Sequence, residues 1–276
     1  MNSATRENTC AIVVTFNPTR DLCDNLRRLY SIVGNNIIIV DNGSKNNYIK
    51  QLPSDIADNI TTILSDENRG VGWALNQGLK YARNIKRFSY AITFDQDSLP
   101  AENTLDLYNS VLTCYEHIGL LGTSYSDKEH VIDKVTYRQT LTLITSGLLH
   151  NLEIISSVGY YDEKLFIDSV DFDYALRVCL KGYYCFRINE PLLLHHLGNP
   201  IKRFGISSTN HSAKRRYYMA RNDIILTKRY WRAFPLWIIK KNYFFIIQIC
   251  KILIVENSKR QKITAIIQGV KDAIRE

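Results

Sequence analysis

Residues 88–100 read FSYAITFDQDSLP, and the fold turns on them. The β-prone apolar run Tyr90, Ala91, Ile92, Thr93, Phe94 delivers Asp95 and Asp97 at its end, before a Ser-Leu-Pro turn. In an extended chain, residues two apart point to the same side, so both carboxylates can face one hard cation. Mg²⁺ and Mn²⁺ favour such oxygen donors and commonly share them with a diphosphate. The alternative is that the two aspartates simply end a strand, because Asp and Ser are common turn residues.

Working outward, strands and helices alternate. The run 10–16 (CAIVVTF) is apolar and stops at Asn17-Pro18, the pattern of a buried parallel strand. Thr19 or Asp21 could cap the helix that follows, where Leu22, Leu26, Leu29 and Ile32 or Val33 keep helical spacing. Residues 36–41 (NIIIVD) end in Asp41 before the turn Asn42-Gly43-Ser44, completing a βαβ unit. Residues 60–64 predict a third strand, 70–85 a helix and 88–94 the fourth strand. This alternation predicts a mainly parallel sheet between helices, with ligands gathered beyond the carboxyl ends of its strands. Asn17, Asp41 and Asp95/Asp97 then lie along one edge.

Residues 66–78 (DENRGVGWALNQG) complete neither a dinucleotide fingerprint nor a Walker loop. Gly70 and Gly72 instead let the backbone turn into the helix and approach a ligand. Residues 102–117 read as a helix, 119–124 as another strand, and 131–143 as one or two strands, broken by Thr145-Ser146-Gly147. Residues 166–177 (FIDSVDFDYALR) carry Asp168, Asp171 and Asp173 into a helix with Leu176 and Leu180 inward. Acidic residues suit a helix N-terminus on electrostatic grounds alone. Residues 183–188 are a strand candidate, and the run 192–194 ends in His195-His196, a metal-ligand pair or a surface pair.

Hydrophobic residues at 45% and charged residues at 22% describe a folded globular protein. The six cysteines show no CxxC pair and read as free thiols. The start MNSATRENTC lacks the basic-then-apolar pattern of a secretion signal, which points to the cytoplasm. Charge is uneven: residues 201–276 hold 17 Lys/Arg against 4 Asp/Glu, a net +13, which leaves −5 for residues 1–200. Such a basic tail suits nucleic acid, an anionic membrane or a phosphorylated substrate. Residues 231–255 are apolar and aromatic but interrupted by Lys240, Lys241 and Lys251. Each lysine at a bilayer centre costs about 2.5–3.5 kcal/mol, which argues against a spanning helix. With Gln248 these lysines form one stripe, as on a helix lying in a membrane interface, or on one packed against the protein's own body.

IVVTFNP, VDNGS, ENRGVGWALNQG, TFDQDS, ITSGLLH, FIDSVDFDYALR, HHLGN and RRYYMARN occur in that order. Over roughly residues 10–230 the chain resembles the inverting family 2 glycosyltransferases of the GT-A fold, and more narrowly the bacterial rhamnosyltransferases of O-antigen and capsule assembly. The resemblance implies that Thr15, Phe16, Asn17 and Asp41 hold the base and ribose of a nucleotide sugar, dTDP-L-rhamnose above others, and that Asn68, Arg69 and Gly70 lie along the nucleotide. It implies that Asp95, Gln96 and Asp97 bind the sugar diphosphate and a divalent metal, Mg²⁺ or Mn²⁺, with His195 as a further metal or diphosphate contact. Asp171 falls at the catalytic base and Asp173 at the acidic residue after it, while Val170 replaces the usual acidic neighbour. Arg216 and Arg221 are candidate contacts to the leaving diphosphate.

The expected domains are therefore 1–230, a GT-A domain, and 231–276, a helical membrane-associating extension. The expected acceptor is a lipid-linked glycan at the cytoplasmic face of the inner membrane, and nucleic acid is not an expected partner. Two other readings weigh less. A nucleotidyltransferase usually carries a glycine-rich basic loop near its first strand, which VVTFNPTRD lacks. A nucleic-acid module would use the tail, whose basic residues sit among Trp, Ile and Phe instead of forming a polar groove.

Overall fold

The computed structural model describes residues 3–19, 22–46, 48–195, 201–203 and 205–276. The chain divides into two compact units, one of Met1–Lys164 with Asp171–His196, the other of Leu165–Val170 with Leu197–Glu276. The helix that follows residue 212 thus belongs to the second unit, whereas the expected boundary was 230.

The first unit contains β1 (Thr9–Thr15), α1 (Leu22–Val33), β2 (Ile37–Asp41), α2 (Ser54–Ala57), β3 (Ile60–Leu64), α3 (Val71–Lys80) and β4 (Tyr90–Asp95). There follow β5 (Ser98–Pro100), α4 (Thr104–Leu112), β6 (Ile118–Ser126), β7 (Tyr137–Gln139), β8 (Leu148–Asn151), α5 (Ile155–Val158), α6 (Val170–Leu180) and β9 (Tyr184–His195). The sheet order is β3-β2-β1-β4-β8-β6-β9-β5, with β7 also on β9. β3, β2, β1 and β4 are parallel, and β8 enters antiparallel between β4 and β6.

β1, β2 and β4 are buried on both faces, which explains their largely apolar runs. Leu22, Leu26 and Leu29 of α1 and Leu107, Tyr108 and Val111 of α4 share a core with Val13, Ile37, Ile39 and Ile92. On the opposite face α3 comes so close that a Cβ at Gly78 would lie 2.4 Å from Ile12 Cγ2. Asn76 of α3 ties that helix to the segment after α5: its amide donates to Tyr161 O (3.0 Å) and Glu163 Oε1 (2.7 Å) and accepts from Tyr161 N (2.9 Å). Tyr161 Oη in turn meets His150 Nε2 at 2.7 Å, and burial pushes His150 down to about 4, so this imidazole is neutral in the core.

Several local expectations change. Residues 98–100 are not a turn but the edge strand β5, because their backbone pairs antiparallel with Leu193–His195. The helix foreseen over 102–117 covers only Thr104–Leu112, and that foreseen over 70–85 ends as a π-helical turn, Tyr81–Ile85. Within 131–143 only Tyr137–Gln139 forms a strand. β8 was not foreseen, and 183–188 and 192–194 join into one strand. Leu176 is buried as expected, but Leu180 is 52% exposed, since it ends the helix where the chain turns back at Gly182. The Thr19 carbonyl accepts from Leu22 N at 3.4 Å in the turn that leads into α1; Asp21 lies outside the described residues.

The second unit holds β10 (Ile201–Arg203) and β11 (Ile206–Ser208) as a hairpin, then α7 (Ala213–Tyr230), α8 (Pro235–Ile254) and α9 (Lys259–Arg275). Ala220, Ile252 and Ile266 form its core with Phe245, Ile249, Ile263 and Val270. Gly269 admits the backbone of α7: a Cβ there would stand 2.4 Å from Tyr217 O. Among the described residues no helix is long and apolar enough to cross a membrane.

Candidate active site

Parallel register sets the site in the first unit. Thr15 pairs with Asp41 and Val14 with Asp95, so the carboxyl ends of β1, β2 and β4 come out level. Beyond them lies a hydrogen-bonded loop system centred on Asp41, which is buried. Its carboxylate accepts from Thr15 Oγ1 (3.0 Å), Ser44 N (2.8 Å) and Ser44 Oγ (2.5 Å). Asn17 N donates to Ser44 Oγ (2.7 Å), and Asn17 Oδ1 accepts from Lys45 N (2.9 Å). Asn17 takes a left-handed φ of 48°, a conformation Asn tolerates better than most residues. Phe16 stays exposed at the strand end.

Tyr48 closes the inner side, 2.5 Å from Thr15 Oγ1. Burial pushes its phenol well above the usual range, so it is neutral at any physiological pH. Nothing in the spacing of the sequence singled out Tyr48. Ser44 and Asn42 were visible only as members of VDNGS, without roles. Asn42 reaches the next loop, accepting from Arg69 N (2.9 Å) and donating to Asn68 Oδ1 (3.3 Å). Asn68 Oδ1 accepts in turn from Gly70 N (3.0 Å). Gly70 sits at φ 89° before α3, as the glycine reading required. Gly43, at φ 84°, is needed twice over: a Cβ there would also fall 2.3 Å from the backbone of Glu67. Arg69 lies over the Trp73 ring, 5.4 Å from its centroid.

The carboxylate pair follows β4. Asp95 and Gln96 are half-buried and Asp97 is exposed. Gln96 does not hang free between them. Its Oε1 accepts from Phe16 N (2.8 Å) and its carbonyl from Asn25 Nδ2 (2.8 Å), tying the DQD loop to β1 and α1. On the other side Asp95 N donates to Ser146 Oγ (3.1 Å), which donates to Ser98 Oγ (2.7 Å). The backbone of His195 stands directly across from Ser98, one residue beyond Asp97. His196 lies outside the described residues.

Hard carboxylate oxygens at an open strand end are the donor set that Mg²⁺ or Mn²⁺ takes. Among the described residues no three potential ligand side chains cluster. This pair would supply at most two of a cation's ligand residues, and water or a bound anion would have to complete its coordination.

Asp171 is the second residue of α6 and half-buried. Its Oδ1 accepts from Phe172 N at 2.9 Å, and its place in the first turn suits a negative charge. Asp173 is different. It is fully buried, with Oδ2 accepting from Arg177 Nε at 2.9 Å, while the same guanidinium donates to Val158 O and Tyr160 O. The expectation that Asp173 contacts substrate is corrected: its carboxylate anchors Arg177 inside the domain.

In the second unit the strained turn of Phe166, Asp168 and Ser169, all at φ of 60–63°, is clasped by Asn222. The Asn222 amide donates to the carbonyls of Leu165, Ile167 and Asp168 at 2.8–2.9 Å. Asp168 itself binds Arg215 through both oxygens. Arg221 donates to Asn222 Oδ1 and lies over Tyr218, 5.1 Å from its centroid. Arg216 is 2% exposed, and its guanidinium pairs with fully buried Glu256, which also accepts from Lys262 Nζ (2.8 Å) and Ser208 Oγ. The expected diphosphate contact by Arg216 is therefore corrected to an interior ion pair. Lys241 likewise leaves the expected basic stripe and pairs with Asp223.

The comparisons with known proteins agree with this architecture. Residues 10–134 match the family described as Glycosyl transferase family 2. The chain is 28% identical to the dTDP-rhamnosyl transferase RfbF of Shigella flexneri, over 97% of this chain and 96% of that protein. Among solved structures, S. aureus TarS 1–349 aligns with a TM-score of 0.57 at 15% identity, covering 97% of this chain and 82% of that one. The mannosyltransferase PcManGT from Pyrobaculum calidifontis, in complex with GDP-Man and Mn²⁺, aligns with a TM-score of 0.58 at 15% identity, covering 99% and 78%. At such identities the structural likeness speaks to the fold, which is GT-A.

One prediction follows from the interior pairing of Arg216. Removing one partner of a buried ion pair strands the other, so Arg216→Ala should lower unfolding stability by about 3–5 kcal/mol in denaturant titration. An unchanged midpoint with weakened nucleotide binding would restore the surface role.

Proposed function

From the premise that the chain carries a Glycosyl transferase family 2 domain and is a glycosyltransferase, we propose that it moves L-rhamnose from dTDP-L-rhamnose to a lipid-linked oligosaccharide, with inversion, during assembly of an O-antigen-like surface polysaccharide. The observation that carries the donor assignment is the near full-length relationship to a dTDP-rhamnosyl transferase. In this reading Thr15, Phe16, Asn17 and Asp41 frame the base and ribose, and Asn68, Arg69 and Gly70 follow the nucleotide. Asp95, Gln96 and Asp97 face the diphosphate, with His195 as a further contact.

Asp171 acts as the base. In a one-step displacement the acceptor hydroxyl loses its proton while its oxygen attacks the anomeric carbon and the nucleoside diphosphate departs. The supports are Asp171's place in the first turn of α6 and its partial exposure, in contrast to buried Asp173. Asp95 and Asp97, with His195, would hold Mg²⁺ or Mn²⁺, which when bound supplies positive charge to the leaving diphosphate. Gln96 keeps this loop in register with β1 by its bond to Phe16 N.

The same protein works at an anionic membrane surface. α8 turns Ile238, Phe245, Ile249 and Ile252 inward but leaves Leu236 (82% exposed), Ile239, Tyr243, Phe244, Ile246 and Leu253 outward. Lys240 is exposed on that outer side and Trp231 and Arg232 precede it, in a tail of net +13. An apolar helix face with basic flanks suits anionic lipid headgroups.

Three results are expected. Asp171→Asn should cut turnover by about 10²-fold or more while donor KM holds, since a positioned base contributes that much; near-normal turnover removes the assignment. Chelation by EDTA should abolish transfer and added Mn²⁺ or Mg²⁺ restore it, with nucleotide-sugar panels showing dTDP-rhamnose as the preferred donor. In flotation assays the protein should rise with anionic vesicles and not with neutral ones, and Leu236→Glu with Phe244→Glu should keep it in the lower fraction. Dimerisation without flotation would instead make this face a self-association surface.

A further inference from the structure

A cleft of about 500 Å³ in the first unit is lined by Thr123, Tyr125, Thr142, Leu143, Phe172 and Arg187, among others. The donor reading makes no use of it. β6 and β9 supply its floor, where Gly122 pairs with Arg187 and leaves room that Leu143 partly fills; a Cβ on Gly122 would fall 2.7 Å from Leu143 Cδ2. Phe172, in the wall, directly follows the candidate base Asp171.

The charge at this cleft is unusual. Arg187 of β9 faces Arg138 of β7 as a direct antiparallel pair, so the two side chains share one face of the sheet. Like charges placed opposite one another are destabilising. Among the described residues no carboxylate pairs with either guanidinium, and Arg187 Nε is buried without a hydrogen-bond partner. Burial, and then the Arg138 charge, hold Arg187 below its ordinary pKa. A buried donor left without a partner needs a reason, and two arginines paired on one sheet face, Arg187 in the cleft wall and exposed Arg138 next to it in register, can together grip a carboxylate or phosphate. Tyr125, 42% exposed, lines the same cleft as Arg187 and carries a flat ring with one polar end.

We propose that this cleft is an acceptor subsite, in which Arg187 and Arg138 bind an oxyanion of the acceptor glycan while Tyr125 packs against a sugar ring. The proposal rests on the glycosyltransferase reading with Asp171 as base, since Phe172 is what ties the cleft to that residue. The oxyanion has two chemical sources: a carboxylate on an acidic sugar, or the diphosphate that joins a glycan to its lipid. Both present paired oxygens to a guanidinium fork.

The test is calorimetric binding to the full chain with Mn²⁺ and saturating dTDP, so that the donor side is occupied. The probes are a methyl glucuronide, a water-soluble isoprenyl diphosphate and, as a control, a neutral methyl glucoside. One anionic probe should bind in a salt-sensitive way and the neutral control more weakly. Arg187→Gln should weaken the anionic probe about tenfold or more, as expected for loss of a charge-assisted bidentate contact, with Arg187→Lys in between. The exposed Arg138→Gln should weaken it too and poses little risk to folding. Whichever anionic probe responds identifies the source. If neither binds the wild type, or if Arg187→Gln and Arg138→Gln bind it as tightly as the wild type, the proposal is overturned. Anionic binding through Arg187 in a protein that fails to bind dTDP would keep the subsite and remove the donor assignment.

Discussion

The carboxylate of Asp41 holds the functional edge of the first unit together. A buried charge is costly unless its lone pairs are met, and here Thr15 Oγ1, Ser44 N and Ser44 Oγ meet them at 2.5–3.0 Å. Because Thr15 ends β1 and Asp41 ends β2, that contact fixes the exits of two parallel strands against each other. Ser44 then hands the constraint to Asn17, Asn42 to the loop of Asn68 and Arg69, and Gln96 to the carboxylate pair after β4. Four loops remote in sequence thus become one surface without a regular element among them.

The parts of this arrangement that rest on local physics were legible in the sequence. β1, β2 and β4 could be read because buried parallel strands are continuous apolar runs, β3 because of its β-branched residues, and their order along the chain implied one polar edge. β5 and β8 were not, since three or four residues carry no period and pair only through partners far away: Ser98 with His195, Leu149 with Ile92. α4 stops at Leu112 although amphipathic spacing runs further, because β6 begins at Ile118 and the chain must turn first. Arg216 shows the same limit for charge. Its partner Glu256 is forty residues on, and nothing in RRYYMARN distinguishes an inward arginine from an outward one.

The second unit changes the meaning of the basic tail. Counted along the chain, residues 201–276 carry +13; in the fold, four of the cations behind that figure are committed to carboxylates. Arg216 and Lys262 share Glu256, Lys241 meets Asp223, and Arg215 binds Asp168. These contacts fix the packing of α7, α8 and α9 around a small apolar core. What reaches the surface of α8 is therefore mainly hydrocarbon with Lys240 beside it. A polyanion would gain little from such a face, whereas an interface that is both apolar and negatively charged satisfies both of its components.

The aspartates themselves sort by burial. Asp41 and Asp173 are buried and engaged, the one by hydroxyls and a backbone amide, the other by Arg177. Asp168 is gripped by Arg215 in the turn that Asn222 clasps. Asp95, Asp97 and Asp171 instead keep solvent-facing surface, the first two where β4 ends and the third where α6 begins. Reaction chemistry needs carboxylates whose oxygens can change partners, and scaffolding needs carboxylates whose oxygens cannot. Residue type does not separate the two classes, and the acidic motif at 168–173 contains both. Burial separates them, with Asp41 and Asp173 inside and Asp95, Asp97 and Asp171 at the surface, the placement that the proposed roles at the diphosphate and in proton transfer require.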